Sequence, residues 1–196
     1  MPTMEVKEAV ENVFSLFTEF GNDDYIGEMV SQEQHALQAA HLAETEGFPA
    51  HIVIGALLHD IGHLQGKRLS KPNMITDGLV YGICNHEVLG QEFLEELGFP
   101  SDVSVFVRRH VDAKRYLVAT DPSYYERLSP ASKKTLEHQG GKMSEAEVEA
   151  FRKDPKFQAI LRMRDWDEKA KDPNAVTPSL QHYKDMCLGY LCQKRL

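Results

Sequence analysis

The run IVIGALL, residues 52–58, is continuous apolar sequence, and it ends on His59, Asp60 and, four residues after the first imidazole, His63. A helix that is hydrophobic all round belongs in a core. The polar groups at its end then have two readings. Either they close a core helix, or they are ligands held on a rigid support.

Helical periodicity runs through most of the remaining chain. Val6, Val10, Val13, Phe14 and Phe17 recur close to every 3.6 residues in a segment that stops at Gly21. QEQHALQAAHLAETEG gives a second helix stopped by Gly47, and residues 49–63 give a third that ends on the His-Asp motif. NHEVLGQEFLEELG closes at Gly98 and Pro100. In the next segment Ser101 and Asp102 are available as caps, with Val103, Phe106 and His110 on one side. Ser129 followed by Pro130 opens a further helix, the capping box Ser144 with Glu147 another, and helices near 155–172 and 178–193 complete the series. No strand alternation is sustained, and residues 64–82 read as a polar surface loop, with a wall of an amine pocket, shaped by Met74, Ile75 and Tyr81, as the alternative. The expected fold class is all-α, one domain over residues 1–196.

Composition narrows the partners. A net charge of -8 offers no general basic surface for nucleic acid, and no apolar run approaches the ~20 residues that span a bilayer. The N-terminus MPTMEVKEAVENVF lacks the basic region and apolar core of a signal peptide, and Cys84, Cys187 and Cys192 form no Cys-x-x-Cys pair. Free thiols in a reducing, cytoplasmic setting are expected.

Imidazole nitrogen and carboxylate oxygen are the usual ligands of iron- and zinc-type divalent ions. His35, His59, Asp60, His86 and His110, with a carboxylate from RDWDEK, are the candidates; His41, His51, His138 and His182 read as structural. On one helix His59 and Asp60 project about 100° apart, so the pair serves two ions only if Asp60 bridges them.

HDIGH in a helical chain, preceded by His35 and followed by His86, His110 and a late aspartate, resembles the HD-domain superfamily. Most of that superfamily are phosphohydrolases. A smaller branch carries two irons and uses dioxygen. DDYIGE, EQHALQAA, RRHVDAKRYL, LSPASKKTLEHQGG and RMRDWDEKAKDP resemble the organophosphonate oxygenases of that branch, more distantly akin to myo-inositol oxygenase, and they spread from residue 23 to 173.

The resemblance implies an HD-domain helical bundle with a dinuclear, mixed-valent Fe(II)/Fe(III) site in its core and O2 as cosubstrate. One iron falls to His35, His59, Asp60 and Asp167, with Asp165 the alternative to Asp167; the other falls to bridging Asp60, His86 and His110. Tyr25 would occupy an iron position at rest and leave when substrate arrives, while Glu28 receives the substrate amine. Lys114, one turn beyond His110, and Arg164, three before Asp167, would hold the phosphonate. Arg164 suits a bidentate grip. Ser132 and Gln139 would add hydrogen bonds, and His63 would bind phosphonate or orient a ligand. The implied substrate is a 1-hydroxyphosphonate with an amino or alkylated amino group on the next carbon, cleaved to phosphate and glycine or an N-methylated glycine such as glycine betaine. A metal-dependent HD phosphohydrolase acting on a nucleotide or other phosphate ester is the competing expectation.

Overall fold

The computed structural model describes residues 4–194, so the very start of the N-terminal segment read above lies outside it. The described chain forms eleven helices and one hairpin: α1 (Met4–Phe20), α2 (Gln32–Thr45), α3 (Ala50–Leu58), α4 (Ile61–Arg68), β1 (Asn73–Thr76), β2 (Leu79–Ile83), α5 (His86–Glu96), α6 (Ser101–Thr120), α7 (Tyr124–Arg127), α8 (Pro130–His138), α9 (Glu145–Arg152), α10 (Phe157–Lys169) and α11 (Leu180–Lys194). No helix among the described residues is long and apolar enough to cross a membrane.

As its sequence demands, α3 is the central strut, with Ile52 through Leu58 all buried. Helices α2 and α6 pack on it, and α10 crosses both of them. The α10 crossing is anchored by Trp166, fully buried and edge-on to Phe48 at 4.8 Å between ring centroids. Thus every element that carries a candidate ligand is bedded in one apolar core.

Local signals act largely as read. Ser129 accepts from the Ser132 N–H with Pro130 just inside α8, and Ser144 and Glu147 complete their capping box. A second capping box, Ser31 with Gln34, opens α2. At α6 the expectation fails: Pro100 is the N-cap and neither Ser101 nor Asp102 caps by side chain. Asp102 instead receives the Tyr190 hydroxyl and the Lys194 ammonium from α11.

Two departures matter for the site. The helix expected over 49–63 is broken: α3 ends at Leu58, Asp60 leaves helical geometry at φ -102° and ψ 10°, and α4 carries the chain on to Arg68. Residues 73–83, expected as loop, form an antiparallel hairpin. Its turn is Asp77-Gly78, both at positive φ, the pairing that two-residue hairpin turns favour. That dipeptide was the available signal.

Candidate metal centre and pocket

Six side chains from five helices and one break converge. His35 comes from α2, His59 from the end of α3, Asp60 from the break, His86 from the first position of α5, His110 from mid-α6 and Asp167 from α10. They fall into two groups, His35 with His59 and Asp167, and Asp60 with His86 and His110. All six are buried or nearly so.

Asp60 straddles the groups. Its Oδ2 lies 3.7 Å from His35 Nε2 and 3.4 Å from His59 Nε2, while Oδ1 lies 3.4 Å from His86 Nε2 and 3.3 Å from His110 Nε2. Asp167 closes the first group with Oδ1, 3.4 Å from His35 and 3.8 Å from His59; Arg164 Nη1 donates to its other oxygen. One carboxylate bridges, and the other presents a single oxygen.

The imidazoles are oriented from behind. Nδ1 of His35 faces the Ala170 carbonyl at 2.8 Å, that of His59 the Ala56 carbonyl at 2.7 Å, and that of His110 the Val107 carbonyl at 2.7 Å. A carbonyl only accepts, so these three Nδ1 atoms carry protons, and a ring with no second proton turns a lone pair on Nε2 inward. Yet His35 Nε2 lies 3.1 Å from His59 Nε2, and His86 Nε2 lies 3.1 Å from His110 Nε2. Converging lone pairs and two buried carboxylates call for positive charge.

The protein alone meets that call by protonation. Burial disfavours charge on His59, but the Asp60 carboxylate and hydrogen bonds to Asp167 and Asp60 raise its pKa to about 10. Burial likewise opposes ionisation of Asp60 and Asp167. The His59 charge overcomes it at Asp60 and the Arg164 charge at Asp167, holding both well below the ordinary carboxylate range. A divalent ion in each group would supply the same charge without a proton, and N/O donors of this kind fit such ions.

Residues 33–147 match the HD domain family model. The chain is 42% identical over 177 residues to the 1-hydroxy-2-(trimethylamino)ethylphosphonate dioxygenase (glycine-betaine-forming) of Leisingera caerulea, covering 90% of this chain and 87% of that protein. The chain belongs to the HD-domain phosphonate oxygenase family. It is also 36% identical over 177 residues to the hydroxymethylphosphonate dioxygenase of Gimesia maris, covering 90% of this chain and 85% of that protein. An uncharacterized mimivirus protein, L432, is 36% identical over 189 residues, or 96% of this chain and 84% of its own length. The matched HD segment includes the HD pair itself, His59 and Asp60. Tyr25, Glu28, Arg164 and Asp167 lie outside it.

Above the HD pair opens a pocket of about 790 Å³, mouth included, whose lining includes Asp60, His86, His110 and Asp167. Every other residue expected at the substrate lines it too: Tyr25, Glu28, His63, Lys114, Ser132, Gln139 and Arg164. Tyr25 stacks on His35 at 3.8 Å; burial and the nearby Asp60 and Asp167 charges raise its hydroxyl well above the usual tyrosine range, which keeps it a phenol. His63 stacks on His86 at 3.8 Å and accepts the Ile83 N–H on Nδ1 at 3.0 Å, so its proton resides on Nε2. Lys114 is buried and donates to Thr135 Oγ1 at 2.9 Å; burial, then the Arg164 charge, lower it to about 7. Gln139 Oε1 is buried with no hydrogen-bond partner.

Asp165 stands apart. It pairs with Arg162 at 2.6 Å and Lys169 at 2.8 Å, outside both groups, whereas Asp167 stands in the first. The four histidines read as structural also stay outside the two groups.

The sequence reading missed three contributors. Thr135 holds Lys114, the hairpin supplies Asn73, Val80, Tyr81, Gly82 and Ile83 to the wall, and Lys171 lines the pocket in an ion pair with Glu28 at 2.7 Å. Met74 is buried and Ile75 exposed, so of the three hairpin residues singled out only Tyr81 reaches the pocket.

Proposed function

We propose that this chain is an O2-dependent oxygenase, cytoplasmic and folded as one domain, that cleaves the carbon-phosphorus bond of a 1-hydroxyphosphonate at a mixed-valent Fe(II)/Fe(III) pair. The observation that carries the reading is the placement of Asp60, whose two oxygens each face a separate pair of imidazoles at the floor of a pocket lined by Lys114 and Arg164. The relatives named as phosphonate dioxygenases support it.

His35, His59, Asp60 and Asp167 would hold one iron, and Asp60, His86 and His110 the other. Bound there, the pair supplies Lewis acidity toward the substrate's oxygens and one-electron chemistry with dioxygen. The protein's own groups do the rest. Lys114 supplies positive charge to the phosphonate, and Arg164, whose Nε and Nη1 are engaged with Tyr124, Glu168 and Asp167, adds what its remaining Nη2 can reach. Ser132, Gln139 and the Nε2–H of His63 satisfy further phosphonate oxygens. Tyr25 covers the His35 side until substrate enters, and Glu28 receives an amine on the neighbouring carbon. The hairpin walls the reacting carbon from water.

For the 2-amino substrate the balance closes without an external reductant: 2-amino-1-hydroxyethylphosphonate plus O2 gives glycine plus phosphate, each product gaining one oxygen over its fragment of the substrate. The trimethylated substrate gives glycine betaine in the same way. Iron-reconstituted protein should consume oxygen in proportion to phosphate released. Release at an undiminished rate under argon would refute the oxygenase.

A further inference from the structure

The Glu28–Lys171 pair joins two segments 143 residues apart, each fixed independently. Both side chains are largely buried, at 16% and 19% exposure. Around Lys171, the Ala170 carbonyl receives His35 Nδ1 at 2.8 Å, and the Gln38 side chain bonds both the N–H and the carbonyl of Asp172 at 3.0 Å. Around Glu28, its own N–H donates to the Tyr25 carbonyl at 3.0 Å, and the Tyr25 N–H donates to Val30 at 2.9 Å. The pair is therefore built into the pocket edge.

Resting on the phosphonate-oxygenase reading above, we propose that Lys171 sets selectivity among phosphonates by occupying Glu28 as an internal ammonium that a substrate ammonium has to displace. The consequence depends on the cation. A primary ammonium brings donors of its own and competes for the same carboxylate oxygen. A trimethylammonium has no N–H and competes only by charge. Hydroxymethylphosphonate has no cation and makes no demand on Glu28.

The test is titration calorimetry under argon on the metal-loaded wild type and Lys171→Met, with 2-amino-1-hydroxyethylphosphonate, its trimethylated analogue and hydroxymethylphosphonate. Freeing Glu28 should tighten the primary amine about tenfold, as expected for release of one charge-assisted hydrogen bond. The trimethylated compound should gain less, and hydroxymethylphosphonate should stay within about twofold. In a Glu28→Gln background the Lys171 substitution should leave the ratios unchanged. Lys171→Gln serves as a second variant with the same expectations. A uniform change across the three ligands, weaker binding of the primary amine, an effect that persists without Glu28, or failure of all three to bind wild type overturns the proposal. Phosphate release in air separately tests the underlying reading: selective binding without turnover sinks the oxygenase and leaves the role of Lys171 standing.

Discussion

Gly62, the glycine of HDIGH, sits where α4 meets the start of α5. A methyl group there would lie 1.9 Å from the His86 carbonyl oxygen, 2.7 Å from its carbon and 2.8 Å from the Gly90 nitrogen. These are backbone atoms, so no rotamer change relieves the clash. To restore contact at 3.4 Å the His86 carbonyl has to retreat about 1.5 Å. The same residue carries an Nε2 placed 3.4 Å from Asp60 Oδ1 and 3.1 Å from His110 Nε2, and metal ligands tolerate displacements of only about 0.5 Å.

Gly62→Ala should therefore strip the ion from the Asp60, His86 and His110 group while the His35, His59 and Asp167 group keeps its own. Overpacking of this kind costs roughly 1–3 kcal/mol. For a chain of this size that lowers Tm by roughly 2–12 °C. Elemental analysis should fall from about two metals per chain to about one, with thermal unfolding followed in parallel. Gly47→Ala is the control: it meets nothing within 4 Å but forces an alanine to φ +78°, so it should cost stability and leave metal content alone. A Gly62→Ala protein with two metals and an unshifted Tm would refute the reasoning.

Asp167→Asn should lose the metal of the His35 and His59 group and leave Arg164 a buried charge short of its closest partner, whereas Asp165→Asn should keep both metals and change stability by less than about 1 kcal/mol; equal metal loss in the two variants contradicts the assignment. Lys114 has its folded pKa, about 7, below its unfolded value, so the unfolded chain holds the extra proton in between and stability at this site rises with pH above about 7. The ammonium that a phosphonate needs is lost over the same range. KM for phosphonate should climb with pH in wild type and stay level in Lys114→Met, and a flat wild-type profile sinks that role. Gly82 stands at φ +103°, and a methyl there would lie 2.5 Å from His63 Cε1. Gly82→Ala should displace the hairpin, seen as faster amide exchange over 73–83 and a raised KM; unchanged exchange argues against hairpin docking through His63.

Most of the candidate ligands were legible because they occupy helix positions whose neighbours declare the helix. His110 falls in register with Val103 and Phe106, and Asp167 follows the fully buried Trp166. The break at Asp60 was not legible, since IVIGALLHDIGH has neither proline nor a strong turn signal at that point and its register is decided by the packing of α4 on α5. The hairpin was hidden differently. Its apolar residues do not alternate cleanly because Ile75, Leu79 and Val80 face solvent, with a bulge between Asn73 and Ile75. Only Asp77-Gly78 announced it. Lys171 carried no signal, because its partner Glu28 is 143 residues away.

The break also alters what the HD pair can do. In a continuous helix, His59 and Asp60 would point about 100° apart; leaving the helix at Asp60 turns its carboxylate so that one oxygen serves each group. Arg164 has a comparable double duty. The sequence suggested a bidentate grip on phosphonate, but Nη1 is spent on Asp167 and Nε on Tyr124 and Glu168, leaving Nη2 without a partner among the described residues. Its guanidinium is committed first to Asp167, whose other oxygen, Oδ1, faces His35 and His59. On the proposed reading the phosphonate's charge would then rest chiefly on Lys114, whose buried ammonium among the described residues donates to the neutral Thr135. Loss of Arg164 should consequently weaken metal and substrate together, whereas loss of Lys114 should weaken substrate alone.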